Sequence, residues 1–151
     1  MVSVENIQGA VIALLQGNAP VMALTANDVR EDEWQGLDFK YPCVRVAIDM
    51  VVPQENGNCR QVKALASFTI QCYDDSSSSR RCAMLSGLIV TAIFGQYISH
   101  TLLPGYIQAG LTVGFRSLAI DIRKVLAPYR VEPRVWRSDV ICTIQLYETS
   151  L

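Results

Sequence analysis

Residues 41–98 read YPCVRVAIDMVVPQENGNCRQVKALASFTIQCYDDSSSSRRCAMLSGLIVTAIFGQYI, and the changes of period within them decide the fold. Val44, Val46, Ile48, Met50 and Val52 alternate with positions that include Arg45 and Asp49. Val62, Ala64, Ala66, Phe68, Ile70 and Cys72 alternate against Lys63, Ser67, Thr69 and Gln71. Successive side chains of a strand point to opposite faces, so each run describes a strand with one apolar face. Asn56-Gly57 stands between the runs and accommodates the positive φ values of a tight hairpin turn. After Asp74-Asp75 and four serines, which offer several N-caps, the period lengthens to that of a helix over roughly Ser79–Ile98. Its apolar part, Met84–Ile98, is interrupted by Ser86, Gly87, Thr91, Gly95 and Gln96, whereas a membrane span needs about twenty residues. A buried helix is the expectation.

Outward from this block, Val4, Ile7, Val11, Leu14 and Leu15 follow helical spacing over Val4–Leu15, with Ser3 as N-cap. Gly17-Asn18 ahead of Pro20 supplies a stop. Residues 25–40 (TANDVREDEWQGLDFK) have no clean period and read as a loop with room for one short strand. Trp34 and Phe39 in that loop require burial against the domain or a partner. Residues 99–114, in which glycine and proline recur, read as an ordered loop with room for one strand at its end. Leu118, Ile120 and Ile122 alternate as in a strand, but Leu118, Ile122, Val125 and Leu126 also fit a helix face, so both remain open. Tyr129–Pro133 reads as a connector, because Pro133 cannot occupy a central ladder position. Trp136, Ser138, Val140, Cys142, Ile144 and Leu146 then form a strand, with Arg137, Asp139, Thr143 and Gln145 facing outward.

These elements predict an α+β fold: a mostly antiparallel four- to five-stranded sheet with two main helices packed on one face. The one-sided alternation supports it, since strands covered on both faces read as continuous apolar runs. The 151 residues suit a single domain, 1–151. Phe68, Ile70, Leu85, Ile89, Val140 and Ile144 are the expected core.

Half of the residues are hydrophobic and 18% are charged, below the usual quarter. Surface hidden against partners and a generous core explain this equally well. The net charge of −1 provides no basic field for gripping nucleic acid. Arginine supplies most of the cations, and arginine is enriched at protein interfaces. Five cysteines form no C-x-x-C pair, and four of them sit inside apolar patterns, where a free cysteine behaves as a small core residue. Their odd number and an N-terminus without an export signal point to a reducing compartment, the cytoplasm, at synthesis.

The residue types that carry chemistry are sparse. His100 is the one histidine and reads as a helix-terminal residue. Gly105, Gly110 and Gly114 lack the strand-loop-helix setting of a phosphate loop. Asp74-Asp75 could hold a metal, but before a helix start they more simply complement its dipole. Arg80-Arg81 lies in the first helical turn, where positive charge is mildly unfavourable. An external partner explains it, and so does an ion pair to Asp74 or Asp75. Asp28, Glu31, Asp32 and Glu33 lack the ligand spacing of a calcium loop and read as a solvated acidic stretch. Trp34, Trp136 and Tyr41 have no interleaved basic run to make them a base-stacking platform. Catalytic, metal and cofactor sites are therefore not expected, and the chain reads as a protein that works by contact.

The order of elements resembles the tail terminator (tail completion) proteins of tailed bacteriophages, the group of the minor tail protein U type. The resemblance runs through the N-terminal helix and the Tyr41-Pro42-Cys43-Val44-Arg45-Val46 strand opening. It continues through the hairpin, the Tyr73–Arg81 junction into the long helix, and the Trp136-Arg137-Ser138-Asp139 strand start. It implies a hexameric ring at the head-proximal end of a tail, assembled in the host cytoplasm. The implied partners are the tail tube protein, the neck or connector proteins and, in a contractile tail, the sheath. Genomic DNA would pass the lumen without specific binding, and no membrane is involved. Another neck or head-completion adaptor, and a small cytoplasmic enzyme, are the competing readings. Such a ring needs two different surfaces per subunit. The sequence offers Arg60, Lys63, Arg80 and Arg81 as one, and Asp28, Glu31, Asp32, Glu33 and Trp34 as the other.

Overall fold

The computed structural model describes residues 4–32, 40–55, 62–98 and 115–148. Helix α1 spans Val4–Gln16 and buries Ile7, Ala10, Val11, Leu14 and Leu15 along one face. The Gly17-Asn18 stop is also a start. The Asn18 side chain accepts a hydrogen bond from the Val21 amide at 3.2 Å and caps a second, short helix, α2 (Ala19–Thr25), which the sequence reading missed. Pro20 fits because the first helical turn has no partner for its absent N–H. Ala26 and Asn27, with φ of 49° and 68°, then turn the chain out of α2.

Three residues of the acidic stretch form strand β1 (Val29–Glu31), the short strand for which that segment had room. It pairs in parallel with β2 (Cys43–Glu55), which follows a cis Tyr41-Pro42 peptide bond. β2 pairs antiparallel with β3 (Val62–Asp74), their register ending at Glu55 opposite Val62. Helix α3 (Arg80–Ile98) follows. Beyond it, β4 (Phe115–Val125) settles the ambiguity over 118–126 in favour of a strand. The expected connector holds another strand, β5 (Tyr129–Glu132), with Pro133 in the turn to β6 (Val135–Glu148), so no ladder position is lost to the proline.

The sheet runs β1-β2-β3-β6-β4, and β5 also pairs with β6. The α+β architecture is as expected, with six strands and three helices among the described residues. The sheet is mixed, because β1 runs parallel to its neighbour. β3 occupies one side of β6 from Trp136 to Tyr147, so β4 and β5 share the other side as successive parts of one edge. The helices lie over the face carrying Val44, Val46, Ala66, Phe68, Ile70, Cys72, Ile120, Val140, Cys142 and Ile144. Leu85 and Ile89 of α3 close onto the same cluster, which contains all six expected core residues.

One expectation for β2 is corrected. The ladder shifts register between Ile48 and Met50, a bulge at Asp49. One extra residue in a strand of period two moves every later side chain to the other face. Met50 and Val52 therefore point away from the core, 57% and 40% exposed, and Val51 takes their place against it. Arg45 does face away from the helices, but it is only 2% exposed and bonds Asp28 at 2.9 Å. Asn56-Gly57, residues 99–114, Phe39, Ser3, Cys59 and His100 lie outside the described residues.

Candidate assembly surfaces

The junction between β3 and α3 is built around a buried carboxylate. Asp74 accepts hydrogen bonds from Arg81 Nε at 2.8 Å and from Ser76 Oγ at 2.6 Å, and Arg81 Nη2 also reaches Asp75 at 3.3 Å. Burial alone would raise the Asp74 pKa, but the hydrogen bonds from Arg81 and Ser76 outweigh it and hold the group below its ordinary value of 3.8. The Trp136 indole donates to the Ser76 carbonyl at 3.1 Å and ties the junction to β6. Arg130 of β5 stacks over that indole, 4.6 Å from its centre. Of the several N-caps that Asp74, Asp75 and the four serines offer in the sequence, Asp74 is therefore not the one used. Capping falls to Ser78, whose Oγ accepts from the Arg80 amide, while the Ser79 carbonyl accepts from Ala83. A carboxylate at the end of a strand, fully buried, has to be paired.

The residues singled out in the sequence separate accordingly. Arg81 is spent within the chain on Asp74 and Asp75, the internal alternative to an external partner. Arg80 is exposed. Asp28 pairs with Arg45. Asp32 accepts a hydrogen bond from Gln8 at 3.2 Å, and Gln8 also donates to the Val46 carbonyl at 2.7 Å. Glu31 is half-buried in the same place, where Val4, Gln8, Glu31, Asp32 and Ile48 line a notch of about 190 Å³ at the β1 edge. Lys63 sits in β3 between Gln54 and Tyr147. Arg60, Glu33 and Trp34 lie outside the described residues.

A second surface was not singled out. β5 is exposed along its length, with Tyr129 at 39% and Val131 at 41%, and Arg134 stands out in the turn that follows. Exposed tyrosine and arginine on one short edge strand are residue types enriched at protein interfaces, and Val131 adds apolar area beside them. The residue types are present in YRVEPRVW, but a connector displays no defined face, and only pairing with β6 gives these side chains one.

The four described cysteines, Cys43, Cys72, Cys82 and Cys142, are free and buried. Burial pushes Cys43 and Cys142 up to about 12 and Cys82 up to about 11, and raises Cys72 as well. The thiolate is the nucleophile, so these groups are inert in the folded chain. Native protein treated with iodoacetamide at pH 8 should give unmodified Cys72, Cys82 and Cys142 by peptide mass mapping, and full modification after unfolding in guanidinium. Alkylation of any of the three in the native state would contradict their placement. Among the described residues, no group of three or more His, Cys, Asp or Glu is arranged to hold a metal ion. No single helix among them is long and apolar enough to cross a membrane.

No family model matches the chain, and no curated protein does. Among solved structures, a chain of the virion of a native gene transfer agent particle superposes with a TM-score of 0.73 at 18% identity, over 93% of this chain and 94% of that one. The two chains share one fold across nearly their whole lengths.

Proposed function

We propose that this chain is a structural virion protein, a tail terminator whose copies form a hexameric ring at the head-proximal end of a phage-like tail. The ring stops growth of the tail tube and joins it to the neck or connector, with the sheath as a further neighbour where the tail contracts. The packaged DNA crosses its lumen without specific contacts. The observation that carries this reading is the near full-length fold shared with a chain of a gene transfer agent virion. The order of elements on which the sequence resembles tail terminators adds to it. The chemistry of the chain agrees, because the Asp74, Arg81, Asp28 and Arg45 charges are spent on holding strands and helices together.

Removing the gene from the producing genome and imaging the particles by electron microscopy tests this. Loss of a terminator leaves tube growth unchecked, so tails of irregular and excessive length without heads are the expected result. Tails of normal length that fail to join heads would assign the chain to the neck instead. Intact particles would remove it from the virion altogether.

A further inference from the structure

We propose that neighbouring copies of this chain join by seating Arg134 of one copy in the Glu31 notch of the next, a contact that rests on the ring reading above. The two surfaces lie on opposite edges of the sheet. β1 with its notch borders β2, whereas the β5–β6 turn borders the far side of β6, four strand spacings away or about 19 Å. Both lie toward the same end of the strands, since β1 pairs with Val44–Val46 and the turn adjoins the Asp74–Trp136 pair. Among the described residues, neither the Arg134 guanidinium nor the Glu31 carboxylate has a hydrogen-bond or ion-pair partner. Arg134 is exposed at the rim of a shallow hollow that it lines with Asp75, Ser76, Ser77, Arg130 and Pro133, and Glu31 is partly buried by the walls of the notch.

The notch suits an arginine better than a lysine or a metal ion. Glu31 and Asp32 provide acceptors for a planar fork, and Val4, 50% exposed, and Ile48 provide an apolar wall for its methylene stem. On the other side, Tyr129 and Val131 supply apolar area beside Arg134. The occupant is a second copy because the complement of each edge lies on the opposite edge of the same chain. A two-fold contact at either edge would set Arg134 against Arg134 or Glu31 against Glu31. The opposite-edge arrangement repels that pairing and favours head-to-tail growth, which closes into a ring.

Complementation tests the contact. Glu31→Arg and Arg134→Glu are made in the full chain, and assembly is followed by light scattering after size exclusion. Each variant alone sets like charges across every contact and should weaken assembly at least thirtyfold, about the lower end for a lost interfacial charge pair. Mixed in equal amounts, they restore an Arg–Glu pair at every contact of an alternating ring, so assembly should return. Circular dichroism separates misfolding from lost contact, and Glu31→Gln or Arg134→Gln replaces a charge-reversed variant that does not fold, in which case mixing restores the Arg–Glu pair at every second contact and assembly should return in part. Rings formed equally well by wild type and by both single variants, or single variants impaired but not rescued on mixing, would overturn this contact and leave the ring reading intact. A wild-type chain that stays monomeric at high concentration would overturn this contact as one sufficient for assembly, and the ring reading would fall only with the particle images.

Discussion

Phe68→Ala should destabilise the chain by about 3–5 kcal/mol, the usual cost of emptying a buried phenylalanine site. Phe68 is 1% exposed, opposite Ile48 on one side and Cys142 on the other, in the cluster that α3 closes with Leu85 and Ile89. The loss has two parts, the transfer of the ring to water and the cavity that strands held by a continuous ladder cannot collapse to fill. For a chain of this length, a loss near 4 kcal/mol lowers the melting temperature by roughly 10 °C. Met50→Ala provides the contrast. Met50 lies beyond the bulge at Asp49 and faces outward, so its truncation should change stability by less than about 0.5 kcal/mol. Urea unfolding of both variants measures the pair. A costly Met50→Ala would put the outer half of β2 in the opposite register, and a harmless Phe68→Ala would do the same for β3.

The contrast also marks where the sequence was legible. Inward positions in β3 and β6 follow strict alternation, so their faces could be read directly, and every core residue expected from them is in the cluster. β2 has the same apolar pattern, but one inserted residue at Asp49 divides it between two faces. Periodicity cannot show a bulge when Met50, Val51 and Val52 are all apolar, because either register buries something. β5 escaped for a different reason. Four exposed residues, Tyr129–Glu132, carry no alternation, and their strand state comes from pairing with β6 after a turn. α2 is seven residues long, too short for a helical period to declare itself, and it is held by the Asn18 cap and the burial of Val21 and Thr25. The candidate surfaces followed the same division. The pairing of Arg81 with Asp74 was one of two readings open in the sequence, whereas that of Asp28 with Arg45, seventeen residues on and on another strand, is brought about only by the fold.

Asp74→Ala should cost about 3 kcal/mol at pH 7, more than the loss of a helix cap, because it removes a buried acceptor of charged and hydroxyl donors. Arg81 is 39% exposed and regains water when its partner is lost, which keeps the cost from rising further. Ser76 and the Trp136 indole lose the anchor that fixes their loop, so α3 should detach from the end of β3 before the sheet melts. The pH dependence separates charge from packing. A carboxyl group whose folded pKa lies below 3.8 contributes stability that is fully present above that value and is lost as pH falls through the folded pKa. Between pH 7 and 5 the wild-type advantage over Asp74→Asn should be flat. Below pH 3.8 it should shrink as Asp74 takes up its proton and the ion pair to Arg81 disappears. Chemical unfolding of the two proteins across pH 2.5–7 measures this difference directly. An advantage that persists undiminished at the lowest pH would mean that Asp74 holds the junction as a neutral hydrogen-bonding group, and that its pairing with Arg81 adds nothing to the fold.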